Sequence, residues 1–80
     1  MHVGMLWFDN DPRTGLADKV SRAADYYRKK YGQVPDLCMV HPAMMIGRPE
    51  LVESRAEKIA VIPDRTILPG HLWIGCEEKN

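Results

Sequence analysis

Leu16, Val20, Ala23, Ala24, Tyr27 and Tyr31 recur at three- and four-residue steps, the spacing that lines up side chains on one face of an α-helix. Asp18, Lys19, Arg22, Asp25, Arg28 and Lys29 fall largely on the other face. Upstream, Asp11-Pro12-Arg13-Thr14 offers capping oxygens and a proline tolerated in a first helical turn. Downstream, Arg28, Lys29 and Lys30 suit the negative end of the helix dipole, Gly32 suits the position just past the helix, and Pro35 prevents resumption. The pattern predicts a helix over residues 13–31.

Shorter apolar runs flank it. Residues 2–8 end at Asp9-Asn10-Asp11-Pro12 as a buried strand would, and residues 37–40 form a run too short for a helix. Strand, helix and strand in that order suggest a right-handed crossover that sets residues 3–8 parallel to residues 37–41. Pro49, followed by Glu50 and Glu53, predicts a second, short helix over residues 49–55. A β-branched run at 58–62, the turn dipeptide Pro69-Gly70 and an apolar run at 72–76 complete the chain. The expected fold class is a small α/β domain, with α+β as the alternative. Its mixed sheet has β-α-β-α-β-β order, with the helices on one face.

Composition narrows the function classes. Eighty residues make one small domain. A 45% hydrophobic content argues against disorder, and eleven basic residues against eleven acidic ones argue against a whole-surface electrostatic grip on nucleic acid or membrane. Two cysteines are too few for a disulfide scaffold or a four-thiolate zinc site. No apolar run approaches the length of a membrane span, and the first residues lack a basic leader region, so the expectation is a cytoplasmic chain with no membrane partner.

Met5-Leu6-Trp7-Phe8-Asp9-Asn10-Asp11, an apolar strand delivering two carboxylates two residues apart, resembles the first motif of haloacid-dehalogenase-type phosphohydrolases. The resemblance implies Asp9 as nucleophile and Asp11 as acid/base beside a Mg²⁺ ion, chemistry that hard oxygen ligands at a strand end would suit. The chain departs from that family where Pro12-Arg13 follows the second Asp in place of a small Gly/Thr turn. The strand-two Ser/Thr is also missing from Leu37-Cys38-Met39-Val40. The competing assignment makes Asp9, Asn10 and Asp11 a turn and helix-cap cluster, which turn and capping preferences favour. Pro63-Asp64 with Glu77-Glu78-Lys79 is superficially similar to elements of restriction-like nucleases. Cys38, Cys76, His2, His41 and His71 supply metal-ligating atoms, but without the paired spacing of a zinc finger. They read as small core residues and strand-end groups, and a reducing compartment predicts two free thiols.

Two surfaces remain as contact candidates. Tyr26, Arg28, Lys29 and Lys30, with Arg22 one turn earlier, could meet phosphates and stack on bases, although cations there also serve the helix end. Met44, Met45 and Ile46 place adaptable apolar side chains on a predicted loop, where they either seal a sheet edge or form an interface. The longer pattern Tyr26-Tyr27-x-x-Lys30-Tyr31-Gly32-x-x-Pro35-x-x-Cys38-x-Val40-x-Pro42 is similar to small uncharacterised proteins of bacteria and their mobile elements. The later Ile62-x-Asp64-x-x-Ile67-Leu68-Pro69-Gly70-His71-Leu72-Trp73-Ile74-Gly75 is similar to their C-terminal hairpin. That resemblance implies a compact α/β fold and carries over no catalytic residue. The functional expectation is a non-enzymatic binding or accessory module without a cofactor. It would act as a homodimer or through a protein partner, with nucleic-acid association as an adjunct. The Mg²⁺-dependent phosphohydrolase or nuclease on Asp9 and Asp11 is the alternative.

Overall fold

The amphipathic stripe forms α1 (Leu16–Tyr31) in a computed structural model that describes residues 2–45, 51–54 and 57–77. Leu16, Val20, Ala23, Ala24 and Tyr27 are all buried, as their spacing predicts. The helix starts three residues later than expected. Asp11 spends its carboxylate on the Arg13 N–H and the Thr14 hydroxyl, so residues 11–14 close a turn of their own. The N-cap falls to Gly15, which makes no side-chain cap bond. At the other end Gly32 adopts φ 69° and donates its N–H to the Arg28 carbonyl at 2.8 Å, a left-handed cap that glycine takes without a Cβ penalty.

Five strands make one mixed sheet: β1 (His2–Phe8), β2 (Leu37–Val40), β3 (Leu51–Ser54), β4 (Glu57–Pro63) and β5 (His71–Glu77), in the order β1-β5-β2-β4-β3. The small α/β class is therefore as the sequence implies. β1 and β2 do run the same way, because each is antiparallel to β5, but they are not neighbours. The last strand of the chain sits between them. β5 satisfies both: it pairs along seven residues of β1 and, on its other edge, with all four of β2. Parallel pairing appears only between β2 and β4.

The second helix is a correction. Residues 51–54 are the strand β3, antiparallel to β4 from Leu51 opposite Ala60 to Ser54 opposite Glu57; positions 49, 50 and 55 lie outside the described residues. So short a segment cannot offset the cost of nucleating a helix alone, whereas the edge of β4 offers a ready-made row of backbone partners. The proline–acid pattern favours a helix, but pairing with the adjacent strand β4 in a hairpin, from Ser54 opposite Glu57, overrides it.

α1 covers one face of the sheet. Cys38 and Val40 of β2, Ile59 and Val61 of β4, and Leu72 and Ile74 of β5 meet its apolar stripe, with Met5, Trp7 and Cys76 packed around them. Period-two alternation sends the intervening residues to the opposite face.

Candidate functional site

β1, β2 and β4 point the same way, so the segments that follow them meet at one edge of the sheet, beside the start of α1. The edge thus carries Asp9 and Asp11, His41, and Asp64, the groups an α/β site would use at strand ends. Each is engaged locally. Asp9 accepts the Asp11 N–H at 3.1 Å. Asp11 accepts the Arg13 N–H at 2.9 Å and the Thr14 hydroxyl at 3.2 Å. Asp64 accepts both the N–H and the hydroxyl of Thr66, at 2.8 and 2.6 Å. At Asp11 and Asp64 the bonds favour the charged form: the Arg13 N–H first holds Asp11 below the usual carboxylate value, and Thr66 does the same for Asp64. His41 accepts the Ala43 N–H on Nδ1, and Phe8 lies 4.8 Å from the ring of His71. Among the described residues no three His, Cys, Asp or Glu side chains gather where they could hold a metal ion. The side chains of His2 and Glu77, and Glu78 and Lys79 entirely, lie outside the described residues.

A cavity of about 160 Å³ opens at the same edge, lined by Asp11, Pro12, Thr14, Leu16, Lys19 and Met44. Lys19 is only 7% exposed as a residue, the one buried charged residue among those described, and its charge acts across the cavity on the Asp11 carboxylate. The helical spacing had set it on the polar side of α1. In the fold it shares a cavity wall with the Asp11–Thr14 turn and Met44, a juxtaposition that nothing local announces. Met44 belongs to a 3-10 turn, Pro42–Met45, and with Met45 it packs against the core. Ile46 is outside the described residues.

At the far end of α1 the cations are largely committed. Arg28 and Lys29 both pair with Asp25, at 3.0 and 3.1 Å, and the Lys30 ammonium sits 5.4 Å from the Tyr31 ring centroid. Tyr26, 48% exposed, leans on Trp7 with ring centroids 5.2 Å apart, and Arg22 faces solvent. Asp25 thus cancels part of the positive charge that the local sequence suggested for phosphate contact.

Both cysteines are free thiols on the helix side of the sheet. Burial pushes the Cys38 thiol up to about 12, whereas Cys76 accepts the Tyr27 hydroxyl at 3.7 Å and donates to the Val34 carbonyl at 3.3 Å. Since the thiolate is the nucleophile, a thiol reagent at pH 8 labels Cys76 in the native protein and Cys38 only after denaturation. Native labelling of Cys38 at the rate of Cys76 would contradict its burial.

The largest feature was not singled out from the sequence. On the sheet face away from α1, Leu6 of β1, Trp73 of β5, Met39 of β2 and Ile62 of β4 stand in register as one apolar row. Leu6 is 60% exposed, Phe8 59% and Ile62 41%. The signal was the unbroken apolar run of β1, which supplies Met5 and Trp7 to one face and Leu6 and Phe8 to the other. A strand apolar on both faces is one that expects cover on both. Compared with protein-family models, curated proteins and solved structures, this chain matches none.

Proposed function

We propose that this chain is a non-enzymatic binding module that works as a homodimer, two copies packing the open faces of their sheets together. The Leu6–Trp73–Met39–Ile62 row carries the reading. An apolar stripe crossing four strands, exposed at Leu6 and Ile62 and half-buried at Trp73 and Met39, costs free energy in water and marks an interface. The dimensions suit a second copy. The molecule measures 31 × 24 × 19 Å, the short axis matching one sheet layer plus one helix layer, so the open face spans about 700 Å² against about 800 Å² per partner in a standard interface. Charge suits it too. The chain has no net charge to keep copies apart. A two-fold axis would lay one row against its equivalent, as isologous sheet packing requires.

Sedimentation equilibrium at high micromolar concentration should return twice the 9.1 kDa chain mass. Replacing Leu6 and Phe8 with Glu should return the monomer while leaving the helix signal and the cooperative melt in place, because both side chains already face solvent in the monomer. A wild-type chain that stays at 9.1 kDa sinks the proposal.

A further inference from the structure

We propose that the outer edge of β1 is a docking site for an extended, apolar, carboxylate-bearing peptide segment of a partner protein, which adds to the five-stranded sheet as a further strand. The edge is separate from the sheet's open face and does not depend on it. β1 ends the strand order, and among the described residues no backbone group pairs with its outer side. Two bonds show which of its residues face outward. One step beyond the Phe8–His71 pair, Asp9 donates its N–H to the Gly70 carbonyl at 2.9 Å. Bonded and non-bonded pairs alternate along an antiparallel ladder, so Trp7, Met5 and Val3 also spend their backbone groups on β5. The Gly75 carbonyl, opposite Gly4, goes instead to the Asp36 N–H on the far side of β5 at 3.0 Å, as that alternation requires. The N–H and C=O groups of Gly4, Leu6 and Phe8 are left pointing away from the sheet.

A row of unpaired donors and acceptors is a template for another strand, and folds that do not use it blunt it with short length, charge or proline. The opposite edge is treated that way: β3 is four residues long and contains Glu53. β1 is seven residues long and has no Lys, Arg, Asp, Glu or Pro. It also carries Trp7 Nε1, the one buried side-chain polar atom among the described residues with no hydrogen-bond partner.

In strand addition the backbone bonds supply affinity and the side chains supply choice. On the helix side of β1, Met5 and Trp7 are half-buried and Tyr26 of α1 leans on Trp7, an apolar wall for alternate side chains of the incoming strand. Arg22, one helical turn before Tyr26 on the same flank, is exposed and has no ion pair among the described residues. That free cation favours an acidic residue in the partner. A second copy of β1 offers none between His2 and Phe8, which makes a different chain the better occupant.

The probe is a blocked peptide matching β1 in length, threonine alternating with valine and glutamate replacing the central valine; a second peptide has lysine there. A slide of two residues keeps every side chain on its face, so the glutamate is free to find Arg22. Each peptide is titrated into the full chain and followed by amide hydrogen exchange. In the free protein the Met5 and Trp7 amides should be protected, and those of Gly4, Leu6 and Phe8 should exchange freely. The glutamate peptide should protect these last three saturably. It should bind about threefold more tightly than the lysine peptide, and Arg22→Glu should reverse that order. Leu6→Pro removes an outward N–H and none that β5 uses, so it should weaken binding at least about tenfold.

The site is overturned if the three amides gain no saturable protection, or if Arg22→Glu leaves the order of the peptides unchanged. Protection of the same amides at high protein concentration without peptide gives the edge to a second copy and also overturns it. Should Leu6→Pro fail to fold, the wild-type exchange pattern and the Arg22→Glu reversal decide the matter. A chain that sediments as a monomer yet takes the glutamate peptide supports this site and refutes only the sheet-face dimer; a dimer whose edge takes no peptide refutes this site alone.

Discussion

Val20→Asp abolishes the cooperative melt of this protein. Val20 is fully buried at the centre of the stripe that α1 presents to the sheet, within a cluster that holds Ile59, Val61, Leu72 and Ile74. No cation lies in that cluster to pair with a new carboxylate. The group must either stay charged without a partner or take up a proton, and each course costs several kcal/mol, at the far end of what single substitutions do. An 80-residue domain has roughly 4–12 kcal/mol to lose in total. Tyr27→Asp at the neighbouring fully buried position should behave alike. Circular dichroism during a thermal scan is the measurement; a soluble variant melting cooperatively near the wild-type temperature would show that the stripe is not the core.

Gly4→Ala carries the second largest expected effect, and its origin is steric. Gly4 stands opposite Gly75 in the β1–β5 pairing. A Cβ there would overlap the Trp73 indole and the Ile74 carbonyl oxygen more closely than real Cβ atoms approach anything. The indole could swing away, giving up the contacts it makes across the open face. The carbonyl is fixed by the sheet. Overpacking of this kind costs about 2–3 kcal/mol, which lowers Tm by on the order of 10–20 °C in a domain of this size. Gly15→Ala is the control. Nothing lies within 4 Å of its Cβ position, so the loss should stay under about 1 kcal/mol, that of a poorer N-cap. Equal melting temperatures for the two variants would refute the account of Gly4.

Both effects bear on the proposed interface. Gly4→Ala disturbs Trp73, the middle of the apolar row, and should weaken self-association as well as the fold. The Leu6 and Phe8 substitutions should affect association alone. The two sets of variants separate a surface that works by contact from one that merely happens to be apolar.

What was legible in the sequence was what depends on neighbours along the chain. The stripe from Leu16 to Tyr27 could be read because helical spacing is local, and the Gly32 cap because one residue's freedom to take positive φ decides it. The turn at Asp9–Asp11 was legible in the same way. A short polar side chain finds its own backbone two residues on, and that local bond holds the same carboxylates that the phosphohydrolase resemblance makes catalytic. Tertiary structure decided the rest. Residues 51–54 became a strand because the edge of β4 was there to pair with. β5 entered between β1 and β2 because both had open edges, and no local pattern encodes strand order. The burial of Lys19, and the assembly of Leu6, Trp73, Met39 and Ile62 into one row, join residues dozens of positions apart. Periodicity places each side chain on a face of its own element; only the packing of elements determines whether that face meets protein, a cavity or water.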